Sequence, residues 1–179
     1  SINYRDLSIV EEPGPRNIPY PRVPNSDGAG EVVETGAGVT RFKAGDKVCG
    51  TFFQGWIDGP ITERDMANAL GGTLDGMLAE YCVLPEGGLV TMPAHMSFEE
   101  ASTLPCSPVT AWHSLVEVGG VKPGDTVLLL GTGGVSIVAL QFVKMLGARA
   151  IITSSSEEKL ARAQELGAWQ TVNYRETPE

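Results

Sequence analysis

The sequence predicts a mixed α/β chain in two parts: a small β-rich barrel or sandwich, then the first half of a doubly wound parallel sheet. Three observations carry that expectation. Up to about residue 95 the apolar stretches are short and broken by Gly and Pro, the pattern of short strands joined by turns. From Ser97 onward, stretches of helical spacing alternate with apolar strand-like runs, the order of a β-α-β-α-β unit. A glycine-rich turn, Gly131-Thr132-Gly133-Gly134-Val135-Ser136, stands where the first of those strands would hand over to a helix.

In the first part, residues 1–96, strands are expected over 28–39, 47–53, 77–84 and 89–92, and the opening residues read as strand-like too. Between Gly55 and Asp75 no alternation is visible. There 61–70 is expected as a short helix ended by Gly71-Gly72, and the stretch as a surface lobe. In the second part, residues 97–179, Ser97-Phe98-Glu99-Glu100 places a serine three residues before a glutamate, the reciprocal capping pattern of a helix start. A helix over 109–118 follows, stopped by Gly119-Gly120. Lys122-Pro123-Gly124-Asp125 then turns the chain into the apolar strand 126–130, which should be covered on both faces. A helix over 135–146, a strand over 150–153, a helix over 157–166 and a strand over 170–174 complete the pattern. Lys43-Ala44-Gly45-Asp46 is like the 122–125 turn, a likeness of turn chemistry rather than a repeat. The chain opens without Met, and no helix follows its third parallel strand, so both ends are expected to lie inside a longer polypeptide.

Bulk properties narrow the function. With 179 residues, of which 42% are hydrophobic and 20% charged, the chain can bury a sizeable core, and no apolar run approaches the roughly 20 residues a bilayer span needs. A net charge of -9 argues against a nucleic-acid partner, and a membrane partner is not expected either. Cys49, Cys82 and Cys106 are odd in number and widely spaced, which implies neither a disulfide framework nor a four-cysteine zinc site. A reducing cytoplasm is the expected compartment. Cys49 and Cys82 fall in expected strands and read as core, and His95 and His113 as structural or solvent-facing.

The glycine turn carries the chemistry. Gly131 permits a tight exit from the strand and Gly133 lets backbone approach a diphosphate; the helix start through Gly134 and Val135 offers unpaired N–H donors. Ser136 replaces the usual third Gly or Ala, so its hydroxyl needs a partner or faces the ligand. An NAD-binding chain usually has a carboxylate at the end of the second strand to meet the ribose 2′-hydroxyl. Here Thr153-Ser154-Ser155-Ser156 occupies that place, and Lys159 follows within one helical turn. Ser154 and Ser155 can donate to a 2′-phosphate and Lys159 can counter its charge, so NADPH is favoured over NADH, although the serines could equally cap the next helix.

Several motifs in order resemble the medium-chain dehydrogenase/reductase superfamily, and within it the zinc-free quinone-oxidoreductase-like branch. They are Ser1-Ile2-Asn3-Tyr4-Arg5-Asp6-Leu7, Ser26-Asp27-Gly28-Ala29-Gly30-Glu31-Val32, Ala44-Gly45-Asp46-Lys47-Val48, Leu104-Pro105-Cys106 with Thr110-Ala111-Trp112, and Lys122 onward through the glycine turn. The resemblance implies a GroES-like β-barrel followed by the first half of a Rossmann sheet, with an active site in the cleft between them. Zinc-dependent members draw metal ligands from positions held here by Asn3, Ser26 and Cys106, with Asp27 at an acidic position beside the metal. One soft ligand out of three does not make a tetrahedral zinc site, so no metal is expected.

By the same resemblance Asn3 and Tyr4 lie on the barrel segment facing the nicotinamide, as the donors that stabilise a developing oxyanion. Thr110 touches the nicotinamide side, and Tyr174 lies near the adenosine phosphate. Tyr4 has an alternative as a strand aromatic in the core, and Cys106 is expected to be a small packing residue. The expected function is a zinc-free NAD(P)H-dependent hydride transfer to or from a small quinone, enone, or alcohol/carbonyl substrate, the full-length protein being a homodimer. Two alternatives stay open: a zinc-type alcohol dehydrogenase relative, or a non-catalytic crystallin-like or scaffold protein. The 179 residues alone are expected to be inactive if the missing strands are needed.

Overall fold

The computed structural model describes residues 1–11 and 18–176, and it divides into two compact units, Ser1–Cys106 and Ser107–Glu179.

The first unit is built on three short antiparallel strands in the order β1 (Ala29–Glu31), β2 (Lys47–Gly50), β3 (Leu89–Thr91). Gly30 pairs with Val48, and Cys49 with Val90. β2 is central and buries Val48, Cys49 and Gly50. Cys49, Met92 and Ala101 form the small apolar core. Ala101 ends helix α3 (Phe98–Ala101), whose N-terminus is capped as expected: Ser97 accepts from the Glu100 N–H, and the Glu100 carboxylate accepts from the Ser97 N–H at 2.9 Å. α3 therefore packs in this first unit, which runs to Cys106.

Four expectations for this unit are corrected. The opening segment is not strand-like but leads into helix α1 (Tyr4–Glu11), because the Asp6 carboxylate accepts from the Asn3 N–H at 2.8 Å and closes the first turn. The helix expected over 61–70 is a single turn, α2 (Glu63–Met66), inside a Thr62/Asp65 capping box. It stops there because Leu70 turns inward, is fully buried, and donates its N–H to Phe52. Residues 77–84 form no strand: Met77 and Leu78 donate to the carbonyls of Asn25 and Pro24, which takes their backbone away from the sheet. Cys82, on that stretch, is exposed rather than core.

The second unit follows the expected order. Helix α4 (Ser107–Trp112) continues into a wider turn over His113–Val118, where the Gly119 N–H reaches back five residues to Ser114. β4 (Thr126–Leu129), α5 (Gly134–Met145), β5 (Arg149–Ser154), α6 (Glu157–Leu166) and β6 (Gln170–Asn173) then give a parallel sheet in the order β4-β5-β6. Its core is a contiguous apolar cluster that includes Leu129, Leu140, Val143, Ile152 and Leu160. One expectation fails: β4 is not covered on both faces, since Leu128 and Leu130 are exposed and only Leu129 is buried. β4 is an edge strand of the sheet that the described residues form.

The two like turns have the same geometry. Lys43 N–H donates to Asp46 and Lys122 N–H to Asp125, at 2.9 and 2.8 Å, with Gly45 and Gly124 at φ +90° and +91°. One sequence pattern makes one turn in two unrelated settings.

Candidate functional site

In the second unit, the backbone leaves β4 and bends at Gly131, whose φ of +76° a side chain would strain. The Gly131 N–H donates to the Thr153 hydroxyl at 3.0 Å, and the Thr132 and Ser154 hydroxyls lie 3.3 Å apart. These two contacts pin the turn to the end of β5. Gly133 is the N-cap of α5, no side chain caps that helix, and its first turn carries no acid. Its leading N–H groups and the positive end of its dipole thus have no side-chain anion of their own. A Cβ on Gly131 or Gly133 would meet nothing within 4 Å, so open space lies against the backbone. Such a turn fits a diphosphate. Gly134 and Val135 are exposed at the helix start, whereas Ser136 turns its hydroxyl back to the Leu130 carbonyl at 2.9 Å. Ser136 therefore meets its hydrogen-bonding need within the turn.

The serine run divides in role. Ser154 is buried, its hydroxyl shared between Thr132 and the Ser156 N–H, and Ser156 caps α6 by accepting from the Lys159 N–H. Ser155 is half-buried and Lys159 exposed. Glu157, in the first turn of α6, accepts from the Asn173 amide. Tyr174, just after β6, is half-exposed and donates its N–H to the Ser154 carbonyl at 3.2 Å. Thr110 sits on the exposed side of α4. Thr153 is a residue the sequence reading passed over. Its signal was a hydroxyl at the end of the second strand, level with a glycine turn that has an N–H to place.

In the first unit, Asn3, Asp6, Ser26, Asp27 and Cys106 come together. Asn3 donates its side-chain amide to Asp27 at 2.8 Å and its backbone N–H to Asp6 at 2.8 Å. Asp27 is only 1% exposed and Asp6 is also buried, and the outer carboxylate oxygens, Asp27 Oδ2 and Asp6 Oδ1, have no hydrogen-bond partner among the described residues. Burial pushes the Asp27 carboxyl up to about 6; the Ser1 amino group and the Asn3 amide oppose the rise, and the Asp6 charge adds to it. The Cys106 thiol is pushed up, first by burial and then by the Asp27 charge, with a hydrogen bond to Ser26 acting the other way. A raised pKa keeps the thiol protonated. Arg5 lays its guanidinium over the Phe52 ring at 4.5 Å and donates to the Leu70 carbonyl, which ties α1 to Phe52 and to the lobe between Gly55 and Asp75.

Tyr4 is not a core strand aromatic. It opens α1 and is 86% exposed, because Asp6 and Ile9 are the residues that this helix buries.

The Asn3 amide nitrogen is a hydrogen donor, Ser26 is a neutral alcohol, and among the described residues no group of three His, Cys, Asp or Glu converges to hold a metal ion.

Comparison with known proteins covers the whole chain. Residues 1–94 match the model of the alcohol dehydrogenase GroES-like domain, and residues 134–179 match that of the zinc-binding dehydrogenases. The second stretch contains neither Cys nor His. A zinc-type alcohol dehydrogenase-like protein of Schizosaccharomyces pombe is 49% identical over 181 residues, 100% of this chain and 52% of that protein. Among solved structures, a putative alcohol dehydrogenase from Sinorhizobium meliloti superposes with a TM-score of 0.91 at 49% identity, over 98% of this chain and 52% of that one. The Escherichia coli quinone oxidoreductase complexed with NADPH has a TM-score of 0.78 at 29% identity, over 98% of this chain and 48% of that one. The chain spans about half the length of the curated relatives it matches.

Proposed function

This chain belongs to the medium-chain dehydrogenase/reductase superfamily, with an alcohol dehydrogenase GroES-like domain at its start, and from that premise we propose that the full-length protein is a zinc-free, NADPH-preferring oxidoreductase acting on a small quinone, enone or carbonyl substrate. The observation that carries this reading is the open glycine turn: a backbone bent at Gly131, no Cβ neighbours at Gly133, and a helix start without a cap of its own. Those features suit the diphosphate of a nicotinamide dinucleotide. Preference for the 2′-phosphate is supported by the absence of a carboxylate at the end of β5, by the half-buried Ser155 and exposed Lys159 beside it, and by the tie between Glu157 and Asn173. Ser154, already engaged by Thr132, acts in this reading by holding the turn.

Bound NADPH supplies the hydride. Gly133, Gly134 and Val135 would hold its diphosphate by backbone N–H groups, with the Gly131 bend giving the backbone room to approach it, and Thr110 and Tyr174 would lie toward its two ends. Negative charge then grows on the substrate oxygen, and without a metal a hydrogen-bond donor must meet it. Asn3 is that donor, an amide already held by a buried carboxylate, and exposed Tyr4 offers a phenol beside it. The Asn3 amide and the Ser26 hydroxyl, standing where zinc-dependent members would place ligands, support this route over metal polarisation of the substrate. Small-molecule chemistry in the cytoplasm, by a homodimer of the full-length protein, completes the proposal; among the described residues no helix is long and apolar enough to cross a membrane.

The test is titration of the full-length protein with NADPH and NADH, followed by quenching of Trp112 or Trp169 fluorescence, with NADPH oxidation by p-benzoquinone assayed before and after dialysis against a chelator. The expected result is NADPH binding at least about tenfold tighter than NADH, about 1.4 kcal/mol, and turnover that survives chelation. Equal affinities would remove the cofactor preference, activity lost on chelation and restored by zinc would remove the metal-free route, and no NADPH oxidation would favour a scaffold role.

A further inference from the structure

Asn3 is held at both of its polar ends. Its backbone N–H is fixed by Asp6, in the first turn of α1, and its side-chain N–H by Asp27, 24 residues away at the entry to β1. Burying two carboxylates on one residue, Asp27 on its side-chain amide and Asp6 on its backbone N–H, is costly, since each leaves one oxygen without a hydrogen bond in a desolvated setting, Asp6 Oδ1 having only the Arg5 guanidinium at 4.0 Å. Packing alone would be better served by apolar side chains of the same volume. An amide can also face either way round, nitrogen or oxygen inward, and hydrogen bonding decides which. A carboxylate accepts only, so Asp27 can bind the amide by its nitrogen and not by its oxygen.

From this geometry we infer that Asp27 is a positioning residue: it fixes the orientation of the Asn3 amide, so that Asn3 presents an N–H rather than a carbonyl oxygen to the growing charge on the substrate. The inference rests on the catalytic role proposed for Asn3. It assigns Asp27 no proton transfer and no contact with substrate. A misaligned donor loses most of its effect, since misplacement by about 1 Å can cost on the order of a hundredfold in rate.

The experiment uses full-length protein carrying Asn3→Ala, Asp27→Ala, Asp27→Asn, or Asn3→Ala with Asp27→Ala, with kcat and KM measured for NADPH and p-benzoquinone. Asn3→Ala and Asp27→Ala should each lower kcat by about tenfold to a hundredfold with NADPH affinity unchanged, and the double variant should be no slower than Asn3→Ala alone. Asp27→Asn, which keeps an acceptor oxygen but also adds a donor, should recover part of the loss. A second readout is independent of turnover. In 15N-labelled protein without cofactor, the Asn3 side-chain amide should show one slowly exchanging, downfield-shifted hydrogen that Asp27→Asn moves and weakens. Losses that multiply in the double variant, an Asp27→Ala enzyme with unchanged kcat, or an Asn3 amide signal indifferent to Asp27→Asn would each overturn the inference. Asn3→Ala with full kcat would instead overturn the role of Asn3, and the positioning role with it.

Discussion

The two units hold themselves together by different means. The second is an apolar core between parallel strands and helices, with Leu140, Val143, Ile152 and Ala163 fully buried in one cluster. Among the described residues the first has a cluster of three, Cys49, Met92 and Ala101, with other buried apolar residues such as Ile9 and Leu70 outside it, while Asp6, Asn25, Ser26, Asp27 and Gln54 are buried as well. Buried polar groups stabilise only when satisfied, and two of these carboxylates are half-satisfied. The contrast teaches that apolar burial is concentrated in the sheet unit, whereas the first unit buries polar groups whose hydrogen bonding is incomplete.

The largest effect expected from this contrast is in the apolar core. Leu140→Ala should cost about 4 kcal/mol, against about 2 kcal/mol for Met92→Ala in the smaller cluster, measured by urea unfolding. Equal costs would break the comparison. Next comes Asp27→Asn. The Asp27 carboxyl sits at about 6 in the fold against an ordinary 3.8, so the folded state holds the proton more tightly than the unfolded one. Its stabilising contribution is present in full below about pH 4 and is lost as pH rises through 6. The Asp6 carboxylate adds to the rise, the terminal amino group opposes it, and the Cys106 thiol and Arg5 guanidinium lie in the same cluster. Unfolding midpoints should therefore show Asp27→Asn gaining on the parent protein between pH 4 and 6, to about 3 kcal/mol at pH 8. A difference that does not change with pH would contradict the burial argument. The smallest effect is at a helix end: Ser97→Ala should cost about 1 kcal/mol by loss of the α3 cap, without weakening NADPH binding.

Legibility in the sequence follows the same division. α6 lies on its expected span, 157–166, and α5, β5 and β6 lie within a residue or so of theirs, because each has its own apolar period and a punctuating Gly or Ser. The glycine turn was equally readable. In the first unit, 77–84 had the composition of a strand, yet its backbone partners are Pro24 and Asn25, far away in sequence. α1 had a readable signal in the spacing of Asn3 and Asp6, the same cap-and-return spacing that made α3 legible at Ser97 and Glu100. Strand-like composition at Ile2 and Tyr4 outweighed it.

The sequence by itself determined the parallel-sheet half, the two like turns and the glycine bend, because caps, periodicity and φ-demanding positions act within a few residues. Only the tertiary structure decided that Ser154 is spent on Thr132, that Leu128 is exposed, and that Asp27 closes on Asn3. Burial and long-range hydrogen bonds depend on which distant segments the fold brings together, and no local pattern encodes that meeting.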